Sequence, residues 1–189
     1  MSIFQLYLQL GWQHLTDIQA YDHMLFLLAL VAGHELKDWK KLIWLVTAFT
    51  VGHSFSLAMA AFGWVAVNST FVEYGILVSI LLLAISRWWY VPGSNKNIAR
   101  INFLVIVFFG VIHGLGFSNY LSSIASSEHL VMALLGFNVG LELAQISFVC
   151  VSLLVLSSLY KVSIKKHMIT KVLSVIISIW TLILIYLYQ

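Results

Sequence analysis

The chain has 189 residues and is 61% hydrophobic, with 9% charged residues and a formal net charge of +3. Soluble domains carry roughly 25% charged residues, so this composition excludes an ordinary soluble domain and indicates a polytopic membrane protein in a lipid bilayer. At about 20 residues per crossing, the length allows about six transmembrane helices. The basic residues lie in predicted loops and are not interleaved with aromatic residues, so no nucleic-acid partner is predicted.

The hydrophobic pattern predicts an all-α fold, a helical membrane bundle that forms one domain over residues 1–189. Residues 1–16 are predicted to form an interfacial segment. Thr16 and Gln19 then have the spacing of a capping box, which would begin the first span. The six predicted spans cover residues about 17–36, 41–65, 71–90, 101–120, 130–159 and 170–188.

The ten lysines and arginines follow the positive-inside rule. They lie in or beside the loops after the first, third and fifth predicted spans, and the remaining loops and both termini carry none. Loops rich in lysine and arginine face the cytoplasm, so both termini are predicted to lie outside. We therefore expect a protein of the bacterial inner (cytoplasmic) membrane. The basic residues are Lys37, Lys40, Lys41, Arg87, Lys96, Arg100, Lys161, Lys165, Lys166 and Lys171.

Ionisable side chains also occur inside the predicted spans. Asp22 and His23 lie near the outer end of the first span, and His53 and His113 lie just outside the membrane midplane in the second and fourth. An ionisable group at the centre of a lipid-exposed helix costs about 2.5–3.5 kcal/mol on insertion scales. Such residues usually face the bundle interior and mark an ion, proton or metal site.

The fifth span carries a polar stripe that descends from the outer surface. Asn138, Glu142 and Gln145 lie at i, i+4 and i+7 and so share one helix face. Glu142 lies mid-span among apolar residues, so it is either protonated or stabilised by a cation or a hydrogen bond. Thr50 and Ser54 flank the second-span histidine and offer oxygens that would support a bound ion. The polar groups of five helices are therefore predicted to share the outer half of the membrane.

Some polar residues have two interpretations. Glu73 follows Thr70 with the spacing of a second capping box, and we predict capping rather than a ligand role. His14 precedes the first span and is either a ligand at the outer mouth or an interfacial residue. His34 and Glu35 fall near the cytoplasmic end, where we expect both to be solvated.

Imidazole and carboxylate groups form the ligand mixture that suits divalent transition metals. The sequence therefore predicts a metal site in the outer half of the membrane. The predicted metal ligands are His14, Asp22, His23, His53, His113 and Glu142. The residues predicted to support the ligands or to line the ion pathway are Thr50, Ser54, Glu73, Asn138 and Gln145.

Five short segments combine these polar residues with glycines and aromatic residues. They are Gly-Trp-Gln-His at 11–14, Tyr-Asp-His at 21–23, Thr-Ala-Phe-Thr-Val-Gly-His-Ser at 47–54, His-Gly-Leu-Gly-Phe at 113–117 and Gly-Phe-Asn-Val-Gly-Leu-Glu at 136–142. The segments resemble the signatures of the HupE/UreJ family, small membrane proteins regarded as nickel or cobalt permeases. The resemblance implies that His14, Asp22 and His23 match the family's first motif, and that His113 matches the histidine of its second.

The chain departs from the nickel-permease pattern in two places. Seven residues separate His14 from Asp22, where the family motif has five, and Tyr120 stands where the second motif has a glutamate. The chain therefore resembles a divergent branch of the family. Nickel is the ion that the resemblance favours, and zinc, cobalt and copper are the alternatives for the same ligands.

Three functions are compatible with these residues. The leading hypothesis is a permease for a divalent transition metal. The second is an intramembrane zinc-dependent hydrolase, in which the same ligands leave one metal position open for water. The third is a b-type cytochrome with His53 and His113 as axial haem ligands.

Overall fold

The computed structural model describes residues 1–17, 21–65, 68–89, 96–124, 129–161 and 165–188. All regular structure among these residues is helical, which confirms the predicted all-α fold. The α-helices are α1 (Ile3–Thr16), α2 (Tyr21–Val31), α3 (Trp39–Ala61), α4 (Ser69–Ser86), α5 (Lys96–Ile124), α6 (Leu130–Lys161) and α7 (Lys166–Leu187). Short 3-10 turns cover Leu36–Asp38 and Arg87–Trp89.

Within the described ranges, four helical segments are long and apolar enough to cross a membrane. They are Leu36–Ala61, Ser69–Ser86, Leu130–Lys161 and Lys166–Leu187; two shorter apolar helical segments are Tyr21–Val31 and Phe103–Ser118, the latter within α5. These segments are those of a helical membrane protein. The helix found within the first predicted span, residues 17–36, is shorter than expected. It is α2, whose 11 residues extend only about 16 Å. That length is about half of the hydrocarbon core, which is about 30 Å thick.

Helices α3 and α5 lie side by side and run in the same direction. A Cβ at Gly52 would overlap the carbonyl oxygen of Val107, and a Cβ at Gly114 would overlap that of His53. Backbone contact this close is possible only because glycine has no side chain. The contact holds His53 beside Gly114, the residue that follows His113.

Helix α1 packs lengthwise against the first half of α6. A Cβ at Gly11 would overlap the carbonyl oxygen of Phe137, and a Cβ at Gly140 would overlap that of Leu8. A Cβ at Gly136 would lie 2.6 Å from the carbonyl oxygen of Phe4. The segment predicted to be interfacial therefore forms a close helix pair with α6.

Ring contacts show that α2 runs antiparallel to α3. The centroid of the His23 ring is 5.9 Å from that of His53, and the centroid of Phe26 is 4.7 Å from that of Phe49. Since Phe26 follows His23 on α2 and Phe49 precedes His53 on α3, the two chains run in opposite directions.

Helix α6 is also antiparallel to α3. Asn138, near the start of α6, adjoins His53, and Gln145, further along α6, accepts a hydrogen bond from Thr50. Helices α1, α2 and α6 therefore share one direction. Helix α1 lies beside the start of α6, and near the end of α6 the Tyr160 hydroxyl accepts a hydrogen bond from the Gly33 N–H just after α2. In succession, α1 and α2 cover the length of α6.

Two predicted helix starts are wrong. Thr16 is the last residue of α1, and its hydroxyl donates to the Trp12 carbonyl at 3.2 Å; Gln19, its predicted capping partner, lies outside the described residues. The N-cap of α4 is Asn68 rather than Thr70, because the Asn68 side chain accepts a hydrogen bond from the Thr70 N–H at 3.0 Å. Asparagine is among the best N-cap residues, so Glu73 has no capping role.

The two ends of the bundle differ in charge. Helices α3 and α7 begin with lysines at one end, here named the basic end, where α6 also finishes with Lys161. The opposite end, here named the cavity end, holds the start of α4 and the last turn of α7. The side chains of Lys96 and Arg100 lie outside the described residues.

One residue at the basic end differs from its predicted setting. His34 is buried rather than solvated, and this burial, with the charges of Arg87 and Lys41, lowers its pKa to about 3. The Arg87 guanidinium is also buried and donates from Nε to the Ala29 carbonyl at 3.0 Å, at the end of α2. Glu35 is half-exposed and forms ion pairs with lysine side chains. Arg87 thereby ties the end of α4 to the end of α2.

Candidate metal centre

Four histidines from four helices meet inside the bundle. His23 of α2 lies in the middle of the group, and its ring centroid is 4.9 Å from that of His14 and 5.1 Å from that of His113. The ring of His53 is 5.9 Å away. Three of the four side chains are buried, and His14 is partly buried. The structure therefore brings together four of the predicted ligands.

A carboxylate joins the histidines, and the ligand atoms form two overlapping groups. One group consists of His14, His23 and His53, and the other of Asp22, His23 and His113, with the ligand atoms of each group within 4.8 Å of one another. Protein nitrogen and oxygen atoms bind zinc at about 2.0–2.2 Å, so the ligand atoms of one such ion are about 3–4 Å apart. Small side-chain movements would allow either group to hold one ion.

Several ring nitrogens of the cluster are buried without a hydrogen-bond partner among the described residues. They are Nε2 of His14, Nε2 of His23, Nδ1 of His113 and both nitrogens of His53. The Asn138 side chain lies beside the His53 ring but makes no hydrogen bond of normal geometry with it. Buried polar atoms are almost always hydrogen-bonded in native structures, so each exception needs an explanation. Imidazole nitrogens that face one another without partners suit a bound cation.

Two neighbouring groups orient the rings. Asp22 Oδ1 accepts a hydrogen bond from the His23 backbone N–H at 2.8 Å and lies 3.1 Å from His23 Nδ1. Ser79 Oγ on α4 lies 3.0 Å from Nε2 of His113. When one ring nitrogen of a neutral histidine carries the proton and donates a hydrogen bond, the other keeps its lone pair and is available to a metal ion. No local pattern in the sequence indicates Ser79, because only the contact between α4 and α5 brings it to His113.

Aromatic rings enclose the cluster, and Phe49 and His23 each pack against both His53 and His113. The centroid of Phe49 is 6.2 Å from that of His53 and 5.0 Å from that of His113, and His23 packs against both histidines. A macrocycle ligated by both histidines would need the space that these two rings fill. The surrounding phenylalanines are Phe26, Phe49, Phe117 and Phe137.

A cavity of about 570 Å³ reaches the cluster. It touches the four residues His14, Asp22, His23 and His113, and its other polar lining residues are Gln13, Asp17, Tyr21, Glu73 and Tyr188. Asp17 and Gln13 are exposed, so the cavity is accessible from the surface. Among the described residues, its lining includes three carboxylates and no lysine or arginine. This charge favours the entry of cations.

Glu73 belongs to this cavity, contrary to the predicted capping role. It shares the lining with Asp22, and the Tyr188 side chain adjoins it. The Tyr74 hydroxyl donates to the Tyr188 carbonyl at 3.3 Å, which helps to hold the end of α7 over the cavity. No local pattern in the sequence indicated Tyr188, because it lies 115 residues after Glu73.

Glu142 lies outside both ligand groups. Its carboxylate accepts a hydrogen bond from the Thr47 hydroxyl at 2.6 Å, and Gln145 accepts one from Thr50 at 2.9 Å. Thr50 and Thr47 precede the histidine of α3 by three and six residues, which is about 4.5 and 9 Å towards the basic end. The hydroxyl of Ser54 donates to the Thr50 carbonyl on the same helix at 2.6 Å. These pairs form a polar layer between α3 and α6, separate from the histidines.

The fold and the site define a helical membrane protein with a buried histidine–carboxylate cluster at the inner end of an acidic cavity. A family model described as HupE / UreJ protein matches residues 1–189, and the chain belongs to that family. Membership implies a membrane protein related to nickel or cobalt transport. Neither the comparison with curated proteins nor that with solved structures finds a match.

Proposed function

We propose that the protein is a permease for a divalent transition metal, with nickel as the favoured ion. The observation that carries the proposal is the convergence of four histidines and one carboxylate, with unpaired ring nitrogens, at the inner end of a cavity. His14, Asp22, His23, His53 and His113 are the proposed ligands. Neutral imidazoles and a carboxylate offset the charge of the ion and suit nickel, cobalt or zinc.

The proposed topology has six crossings. Helices α1 and α2 act in succession as the first crossing, because each is too short to span about 30 Å alone and both run in the direction of α6. The basic end lies in the cytoplasm by the positive-inside rule, which puts both termini and the cavity outside. The ion then enters from the outer side past Asp17 and Glu73.

The polar layer between α3 and α6 supports the proposal that the metal ion moves beyond the histidine cluster towards the basic end. The pairs Thr50–Gln145 and Thr47–Glu142 follow the histidines towards the basic end. A conduit needs polar groups beyond its binding site, because an unsolvated ion is costly in an apolar medium. Thr47 and Glu142 are both partly buried, so a carboxylate is available below the histidines.

Metal uptake by cells tests the proposal. Asp22→Ala and His23→Ala remove a carboxylate and the central imidazole, and each is expected to reduce nickel uptake to the background of cells without the protein. His129→Ala is the matched control, because His129 is exposed and belongs to neither ligand group. Protein levels in the membrane are compared by immunoblot. Wild-type uptake by both cluster variants would show that the protein is not a permease using this site.

A zinc-dependent hydrolase is the second candidate, favoured by the presence of Glu73 beside Asp22 in an accessible cavity. In that case the metal would activate a water molecule, and Glu73 would act as the general base. Zinc retained in stoichiometric amount through purification, together with no passage of ions into proteoliposomes, would support the hydrolase and exclude the permease.

A further inference from the structure

We propose that the cluster offers two alternative positions for one ion, and that both use His23. The cavity position consists of Asp22, His23 and His113, and the inner position consists of His14, His23 and His53. The proposal rests on the proposed metal-binding function and adds an order of events: the ion binds first in the cavity position and then passes to the inner position.

The first support is the overlap of the two ligand groups. Each group satisfies the same distance limit of 4.8 Å, and His23 is the one residue that belongs to both. Its ring lies 5.1 Å from His113 on one side and 4.9 Å from His14 on another. Small movements of one central ring therefore exchange one set of partners for the other.

The second support is the difference in access. All three residues of the cavity position line the cavity, whereas His53 does not and is 0% exposed. His14 lines the cavity and also belongs to the inner position, so it lies on the route between the two. An ion from the cavity meets Asp22 and His113 before it can reach His53.

The third support is the chemistry of histidine. A neutral imidazole has one acceptor nitrogen at a time, so His23 can ligate only one ion. Two dications a few ångströms apart would also repel each other strongly. The two positions are therefore occupied in turn and not together, and the wild-type protein is expected to bind a single ion in the cluster.

The two positions differ in ligand type. The cavity position combines a carboxylate with two imidazoles and is open to water, so it can receive a hydrated ion. The inner position has three imidazoles and is surrounded by the rings of Phe49, Phe117 and Phe137. An ion that leaves Asp22 loses its anionic ligand and its access to cavity water, which prepares it to move on from the cluster.

Cobalt binding to purified protein tests the two positions. In His53→Ala, X-ray absorption is expected to show two imidazoles with oxygen ligands, and in His113→Ala three imidazoles without the carboxylate. Each variant is expected to bind one cobalt ion, with affinity reduced about tenfold, whereas His23→Ala loses binding by at least about 100-fold. Both single variants are expected to lose cobalt uptake by cells, because the transfer is interrupted. His53→Phe and His113→Phe keep a ring in the packed cluster and give the same ligand counts if the alanine variants fold poorly.

Several results would overturn the proposal. They are two cobalt ions in one wild-type cluster, an identical ligand set in His53→Ala and His113→Ala, or a loss of binding in either variant as complete as in His23→Ala. The last result would indicate one site built from all five residues. Failure of the permease hypothesis looks different, because the wild-type protein would then bind no cobalt or would bind cobalt without transporting it.

Discussion

The contact between α3 and α5 leads to the most specific prediction. Gly110 lies one turn before His113 and faces α3. An alanine methyl there would overlap the carbonyl oxygen of Phe49 and lie 3.0 Å from its carbonyl carbon and 3.1 Å from the His53 nitrogen. All three atoms belong to the backbone, so no rotamer change can relieve the contact. Gly110→Ala must therefore push the two helices apart, by about 1 Å if the methyl is to reach normal van der Waals distance.

The expected cost of this movement follows from its location. Overpacking of a well-packed interior costs about 1–3 kcal/mol. For a chain of this size that corresponds to a decrease of about 2–12 °C in Tm. Because His53 and His113 lie on the two separated helices, a displacement of about 1 Å is also expected to weaken cobalt affinity by about 100-fold.

Thermal unfolding in detergent and cobalt titration of the same preparation measure the two effects. Gly75→Ala is the matched control, because a methyl at Gly75 also faces α5 but meets only a side-chain carbon of Ile112, at 3.0 Å. That side chain can move, so the control is expected to keep wild-type affinity and to change Tm by less than about 2 °C. Wild-type affinity in Gly110→Ala would refute the argument that α3–α5 contact sets the geometry of the cluster.

Three smaller substitutions test other parts of the structure. Ser79→Ala removes the oxygen beside His113 Nε2 and is expected to weaken cobalt affinity by about 10–100-fold, as titration would show. The buried Nε2 then has no partner, so the free energy of unfolding is also expected to fall by about 1–3 kcal/mol. Arg87→Met leaves two carbonyls at the end of α2 without their charged donor and is expected to lower the free energy of unfolding by about 1.5–3 kcal/mol. Glu35→Gln breaks a partly exposed ion pair with Lys166 and is expected to cost less than about 1 kcal/mol in chemical denaturation at pH 7. Hydrogen bonds from lysine side chains lower the pKa of Glu35 to about 2. The contribution of the ion pair to the free energy of unfolding is therefore present above the ordinary pKa of 4.5 and is lost as the pH falls towards 2. If wild type and Glu35→Gln showed the same pH dependence of unfolding, this prediction would be contradicted.

The sequence predicted the convergence of histidines because two kinds of information agreed. The distribution of lysines and arginines gave a direction to each span, and the rise of 1.5 Å per residue then gave each histidine a depth. Depth alone cannot say which way a side chain points around its helix. For this reason the sequence predicts one site for His53 and Glu142, whereas the structure places Glu142 against Thr47 in a separate layer.

Glu73 and His14 show a second limit of the sequence. Capping boxes are defined by a short spacing, and Thr70 and Glu73 have that spacing, yet Asn68 caps the helix instead. The position of His14 depends on the packing of α1 against α6 through Gly11 and Gly140, which are far apart in the chain. Contacts of this kind are determined by tertiary structure, and local patterns do not contain them.

The succession of α1 and α2 explains why the cluster forms where it does. Inside a continuous helix the backbone groups are hydrogen-bonded to one another, so only side chains are available to a site. A helix that begins inside the bundle instead places its first turn next to the site. The first turn of α2 contains Asp22, and a negative charge is favoured at a helix N-terminus by about 0.3–1 kcal/mol through the helix dipole. The same dipole would repel a cation, so the carboxylate of Asp22 both stabilises the start of α2 and makes that position suitable for a metal ion.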